Sequence, residues 1–324
     1  MVLSRTGAAR PALLTMAQQQ QRLRQKLVAP LPVRDGVGPS FLWIPEGRWD
    51  NLRHFLLERF AEVEPAVWDA RLARGEVVDL HGTPLAADST VARGMCIFYY
   101  RDAGAETPIP FDETILYRDD HIVVVDKPHF LPVTPAGRFV QETLLVRLRR
   151  KFGWNELVPL HRLDRETAGV VLFSHNPVTR GIYQALFRER AMEKEYEAVA
   201  PWREDLQFPL TRNSRIVPGT PFFRMREEEG EANAETRIDV IKQCGTVALY
   251  RLEPVSGKQH QLRVHMAALG IPIVNDDFYP DALPCKGDDF SRPLQLLARR
   301  LAFIDPLSGE LRVFTSGRNL EGKT

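Results

Sequence analysis

Two apolar runs, Leu157-Val158-Pro159-Leu160 and Val170-Val171-Leu172-Phe173, are joined by the charged stretch His161-Arg162-Leu163-Asp164-Arg165-Glu166-Thr167-Ala168-Gly169. A fold that buries both runs must carry Asp164 to the edge of its core, where a carboxylate is avoided unless it is paired or used. The adjacent Arg162 and Arg165 favour its charged form. An ionised Asp acts as a nucleophile or stabilises a cation, and does not serve as a general acid at neutral pH. A structural Asp–Arg pair at a strand-to-turn junction is the plainer alternative, because ion pairs at turns are common.

The rest of the chain narrows the class. Its 324 residues suffice for one large domain and one small one. A net charge of +1 means that any nucleic-acid affinity comes from local basic patches, not from an overall cationic surface. Cys96, Cys244 and Cys285 are too far apart for paired metal spacing or a disulfide framework, which points to a reducing cytoplasm. No apolar run is long enough to span a membrane. The first forty residues hold six basic residues, one acid (Asp35) and a Gln18–Gln21 tract. A transit peptide has such a composition. The preferred reading is a disordered basic extension over residues 1–38, or an overlong start with Met16 as the true first residue.

Residues 39–101 read as a small module. Asn51–Glu62 has Leu52, Phe55, Leu56 and Phe60 on one helical face; a second helix follows Pro65 and stops at Gly75. Glu76–Leu85 reads as a hairpin with a Gly turn. Residues 102–112, with Gly104, Pro108 and Pro110, read as a linker. Over residues 113–320 strands and helices mix. Ile122–Asp126, Gly169–Ser174, Met192–Val199, Thr236–Ile241, Thr246–Val255 and Leu311–Phe314 are strand candidates. The alternation of Met192–Val199 puts Lys194, Tyr196 and Ala198 on one face. Thr143–Phe152 is an amphipathic helix with Leu144, Leu145 and Leu148 inward and Arg147, Arg149, Arg150 and Lys151 outward. Another helix starts after Asn176-Pro177 with Val178, Ile182, Leu186 and Phe187 as candidates for its buried side. A third covers 259–269, with Gly270 as its stop. Arg212–Glu235, acidic at Glu227–Glu231, reads as an insertion or mobile loop. Strands paired through short turns, with helices interspersed, give an α+β fold with a mostly antiparallel mixed sheet.

The wording of 161–169 resembles the active-site motif of the RluA family of RNA pseudouridine synthases. Three further motifs occur in family order. Leu116-Tyr117 with Ile122-Val123-Val124-Val125-Asp126-Lys127-Pro128 is similar to the first motif, and Glu193-Lys194-Glu195-Tyr196-Glu197-Ala198 to the tyrosine motif. Gly257-Lys258-Gln259-His260-Gln261-Leu262-Arg263-Val264-His265 is similar to the arginine motif, followed by Leu269–Val274. Lys258-Gln259 and Ala168 depart from the usual wording without removing a residue that has a chemical role. The 39–101 module resembles a small RNA-binding unit shared by a ribosomal small-subunit protein and several RNA-modifying enzymes. Arg53, Arg59, Arg71 and Arg74 would then offer phosphate contacts.

This resemblance implies an isomerase acting on uridine in ribosomal or transfer RNA, as a cytoplasmic monomer with no cofactor, metal or membrane partner. It implies Asp164 as the essential carboxylate, as glycosidases place one beside the anomeric carbon. It also implies Tyr196 on the base and Arg263 paired with the carboxylate, a bidentate role Lys cannot fill. Arg162 would fill the space vacated by the flipped base, and Leu262 would pack on uracil. In an extended segment Arg162 and Asp164 share a face and Arg165 takes the other, towards RNA phosphate or solvent. Lys127 would supply a phosphate contact or simply end a strand. Two rivals follow from the residues. A metal site at His260 and His265 is disfavoured because five residues on a helix separate them by about 140°. A noncatalytic RNA-binding protein on the same fold does not require the full set of Asp164, Tyr196 and Arg263.

Overall fold

The computed structural model describes residues 28–101, 104–283 and 287–321. The Gln18–Gln21 tract, Met16 and Cys285 lie outside the described residues. The chain divides into two compact units, one of residues up to 33 with 38–101, the other of 34–37 with 102–324.

In the first unit, strand β1 (Ser40–Trp43) pairs antiparallel with β2 (Cys96–Tyr99). Between them run helices α1 (Leu52–Arg59) and α2 (Pro65–Ala73). Asn51 starts α1 by accepting the His54 N–H at 2.9 Å, the expected role of a short polar cap. Leu52, Phe55, Leu56, Trp68, Leu72 and Ile97 form the core. The hairpin expected over Glu76–Leu85 contracts to one bridge, Val78 to Pro84. Of the four arginines expected to give this unit a basic face, Arg59 is exposed and the other three have partners within the unit. Arg53 forks onto Asp69 at 2.6 and 3.0 Å, Arg74 binds Glu76, and Arg71 is buried over the Trp68 ring.

The second unit is built on an 11-stranded sheet. Its strands are β3 (Thr114–Arg118), β4 (Ile122–Lys127), β5 (Val158–Pro159), β6 (Ala168–Ser174), β7 (Glu193–Pro201), β8 (Leu210–Pro218), β9 (Met225–Glu228), β10 (Ala234–Cys244), β11 (Val247–Pro254), β12 (Leu296–Ile304) and β13 (Leu311–Thr315). The main path runs β3-β4-β6-β12-β7-β11-β10-β8-β9, with β5 on β6 and β13 on β12. All neighbours are antiparallel except β6 and β12. Helices α3 (Leu144–Phe152), α4 (Arg180–Arg188) and α5 (Gln261–Ala268) accompany the sheet. The α+β architecture with a mostly antiparallel mixed sheet is thus present.

At the sheet's centre, Ala298 of β12 stands between Gly169 of β6 and Tyr196 of β7. Gly169 has φ +115°, and a Cβ there would fall on the Ala298 backbone. Only glycine permits that approach. Two cores meet here. One gathers Val123, Val125, Leu144, Leu148, Val171 and Phe173; the other gathers Tyr250, Leu252, Leu262, Met266 and Ile271. Tyr196 packs against both.

Several expectations change. The acidic stretch 212–235 is not a loop: β8, β9 and the start of β10 occupy it, joined by Arg212–Glu227 and Arg215–Glu228 ion pairs. The helix expected after Pro177 begins at Arg180; Tyr183 is its buried residue and Leu186 and Phe187 pack against the same core, while Val178 and Ile182 are exposed. Asn176 instead caps a turn by accepting the Val178 N–H. On α3, Arg147 and Arg149 do not simply point outward. They bind the carbonyls of Phe111, Ile109 and Leu157, tying α3 to its surroundings. The extension expected over 1–38 is structured at Arg34–Val37, where a tight turn buries Val37 against Val140 and Val146.

Candidate active site

The loop before β6 is held rigidly from beneath. Asp164's carbonyl accepts the Thr167 N–H at 3.1 Å, closing a turn. Fully buried Lys127, the last residue of β4, donates to the carbonyls of Pro128, Leu131 and Arg165 at 3.0, 2.8 and 3.1 Å. Burial pushes its ammonium down to about 7, although three carbonyl acceptors in one shell suit the charged form. His161 accepts the Leu172 N–H at Nε2 and stacks on Phe187. Burial pushes the ring down to about 3, so it is neutral. Arg165 turns its guanidinium to the Phe130 and Gly287 carbonyls and to Glu166. With both flanking anchors taken, the carboxyl of Asp164 is left facing the cleft.

The opposite wall comes from α5, 99 residues later in the chain. Arg263 Nη1 donates to Asp164 Oδ2 at 3.2 Å. Its Nε and Nη2 fork onto Asp276 Oδ2 and Oδ1 at 2.8 and 2.6 Å. The Arg263 and Asp276 side chains are 3% and 0% exposed, and Asp164 is 29% exposed. Burial works against the charge of the guanidinium, but the hydrogen bonds and charges of Asp276 and then Asp164 raise its pKa, and the cation persists. Asp276 also accepts the Phe278 and Tyr279 N–H groups at 2.8 and 3.2 Å. His260, at φ +55° just before α5, brings Nε2 to 3.8 Å from Asp164 Oδ2 and Nδ1 to 3.0 Å from the Tyr279 hydroxyl.

These walls enclose a cleft of about 1030 Å³ lined by Arg162, Asp164, Lys194, Tyr196, Leu262 and Arg263, among others. Tyr196 and Lys194 reach it from the same face of β7, as alternation predicts. Burial, then the Asp164 charge, pushes the Tyr196 hydroxyl up, so the ring enters as a neutral phenol. Leu262 is nearly buried and supplies an apolar wall. Arg162 is exposed at the cleft, as are Arg188, Arg190 and Lys258. The arrangement offers one carboxylate beside a buried cation, one aromatic ring, one apolar surface and a basic rim. That combination suits a flat, neutral ring carried on an anionic strand.

Asp164, Tyr196, Leu262, Arg263 and Arg162 are therefore brought together. Lys127 is not available to phosphate: it is 0% exposed and its three donors meet three carbonyls. Arg165 borders the cleft, but its guanidinium is committed to the protein. The bidentate partner of Arg263 is Asp276, with Asp164 taking the remaining nitrogen. Asp276 and Tyr279 are absent from the sequence reading. The sequence marks Asp276 only as a carboxylate two residues beyond the apolar Ile271–Val274, with no flanking arginines of the kind that single out Asp164. His265 lies away from His260's partners, fully buried between Thr236 and Ser214 hydroxyls at 2.9 and 3.0 Å. Among the described residues no group of three or more His, Cys, Asp or Glu side chains fits a metal ion.

A family model described as RNA pseudouridylate synthase matches residues 121–268. The dual-specificity RNA pseudouridine synthase RluA of Haemophilus ducreyi is 32% identical over 218 residues, covering 64% of this chain and 93% of that protein. RluA of Salmonella typhi is 34% identical over 210 residues, covering 62% and 90%. An uncharacterized RNA pseudouridine synthase of Synechocystis is 26% identical over 234 residues, covering 71% and 80%. Among solved structures, human RNA pseudouridylate synthase domain containing 1 superposes with a TM-score of 0.53 at 25% identity, over 66% of this chain and 86% of that one.

Proposed function

Since this chain belongs to the RluA family of RNA pseudouridine synthases, we propose that Asp164 is the carboxylate through which it isomerises uridine in ribosomal or transfer RNA. The observation that carries this reading is the 3.2 Å ion pair between Asp164 and Arg263, made across the cleft that Tyr196 also lines.

The reaction breaks the bond from the anomeric carbon to N1 of uracil and joins that carbon to C5. The C5 proton leaves and N1 gains one. An ionised Asp164 serves either route through the sugar, attack at the anomeric carbon or removal of the neighbouring C2′ proton. Arg263 keeps a positive charge against Oδ2 of Asp164 throughout. Tyr196 stacks on the loose uracil, Leu262 packs against it, and both retain it while the ring turns. A neutral Tyr196 suits this stacking role. Arg162, exposed at the cleft, occupies the space the uridine leaves in its RNA. The exposed Arg188, Arg190 and Lys258 lie where flanking phosphates pass. The protein works as a monomer in the cytoplasm. No helix among the described residues is long and apolar enough to cross a membrane.

The test is pseudouridine mapping of total RNA from cells lacking the gene, complemented with wild type or Asp164→Asn. A site restored by wild type and not by the variant supports the reading. Equal restoration by both removes Asp164 from the chemistry.

A further inference from the structure

Asp164 has two oxygens in different surroundings. Oδ2 faces Arg263 Nη1 at 3.2 Å and His260 Nε2 at 3.8 Å, while among the described residues no hydrogen bond is made to Oδ1. What His260 contributes depends on which ring nitrogen carries its proton.

The groups facing that ring are Asp164, Arg263, Asp276 and the Tyr279 hydroxyl, with Phe278 alongside. Burial, the largest influence, lowers the pKa of His260, so the ring carries a single proton at neutral pH. Tyr279 Oη accepts the Met225 N–H at 2.8 Å and has one proton to give. It reaches either the Met225 carbonyl at 3.1 Å or His260 Nδ1 at 3.0 Å. Giving it to Met225 requires His260 to protonate Nδ1, which turns the Nε2 lone pair towards the Asp164 carboxylate. Giving it to Nδ1 places the proton on Nε2, and the ring dipole then points its positive end at that carboxylate. Reversing a dipole beside a full charge in a largely buried site outweighs one neutral hydrogen bond to the half-buried Met225.

We propose that His260 is a positioning residue for Asp164: the Tyr279 hydroxyl donates to Nδ1, the proton resides on Nε2, and His260 with Arg263 orients Oδ2 so that Oδ1 meets the sugar. The proposal rests on Asp164 being the reacting carboxylate. The relay then extends from the start of β9, through Tyr279 and His260, to the loop before β6, so the hairpin β8–β9 acts on the cleft without lining it with its own side chains.

Nitrogen-15 spectra of the wild-type protein, with the His260 signal identified by its loss in His260→Gln, read the tautomer directly. A proton on Nε2 is expected; one on Nδ1 overturns the proposal. Turnover is read on total RNA from cells lacking the gene. His260→Ala is expected to slow conversion of bound RNA about 10- to 100-fold, with RNA affinity held within about threefold. His260→Gln, whose amide N–H lies near the Nε2 position, recovers most of that loss. Tyr279→Phe slows conversion less, and adds nothing in the His260→Ala background, because both act through one relay. Unchanged conversion in His260→Ala, a loss confined to affinity, or additive effects of the two substitutions would each overturn it. If His260→Ala does not fold, His260→Gln and the wild-type spectrum still decide. Absence of turnover in the wild type refutes the functional reading instead, and leaves the tautomer to be read independently.

Discussion

Arg263 and Asp276 form a two-point ion pair, 2.8 and 2.6 Å, in which neither side chain is more than 3% exposed. The guanidinium is thereby oriented independently of Asp164, which meets only its remaining nitrogen, Nη1, at 3.2 Å. Asp276→Asn removes the charge that balances a buried cation. We expect a loss of about 3 kcal/mol in stability and at least a roughly tenfold loss of turnover as Arg263 reorients towards Asp164. Urea unfolding and single-turnover kinetics on the same preparation check both.

Arg162 is exposed and lines the cleft, and among the described residues it makes no hydrogen bond or ion pair that would stabilise the fold. Arg162→Ala should therefore leave stability within about 0.5 kcal/mol. Turnover on structured RNA should fall much more than on a short unstructured oligonucleotide, where no stacked base has to be expelled. Equal losses on both substrates would remove Arg162 from flipping.

Acid should destabilise the second unit through its buried histidines. Burial lowers His161 to about 3 and His265 to about 4. Both lie below the unfolded value of about 6.5. Between those values and 6.5 the unfolded chain binds protons that the folded chain does not. The stability is thus complete above about 6.5 and declines as pH falls, by about 1.4 kcal/mol per pH unit for each histidine. Unfolding midpoints from pH 7 to 4.5 should show this slope, and His265→Gln should reduce it.

Gly169→Ala places a Cβ on the Ala298 backbone at φ +115°. The parallel contact of β6 with β12 must open, at a cost of about 3 kcal/mol or more. Denaturation of the variant measures it; a near-native stability would mean that β12 yields easily.

Much of the scaffold is legible in local pattern. The all-apolar Ile122–Val125 run and the amphipathic Thr143–Phe152 segment announce a buried strand and a surface helix, and both occur. Arg212–Glu235 misleads because its charges look solvated, whereas Arg212 and Glu227 form an ion pair between strands β8 and β9. Leu296–Ile304 escapes periodicity because Arg299 and Arg300 interrupt an otherwise continuous apolar run. The carboxylate at 164 stands out through its neighbours. Asp276 does not, since its role exists only once Arg263 lies against it, and no spacing in the chain encodes that meeting. The misplaced Lys127 shows the same limit: a lysine ending a strand has the same spelling whether its ammonium meets solvent or three carbonyls.

The pairing of Ala298 with both Gly169 and Tyr196 has a consequence for biosynthesis. A ribosome has already released the loop of Asp164 and the strand of Tyr196 when the segment that separates them is still to be translated. Until Leu296–Ile304 emerges, β6 and β7 lack the strand that sets their spacing. The nascent chain therefore holds Asp164 and Tyr196 without the strand that sets them apart, and that pairing is of the late, long-range kind that slows folding in general.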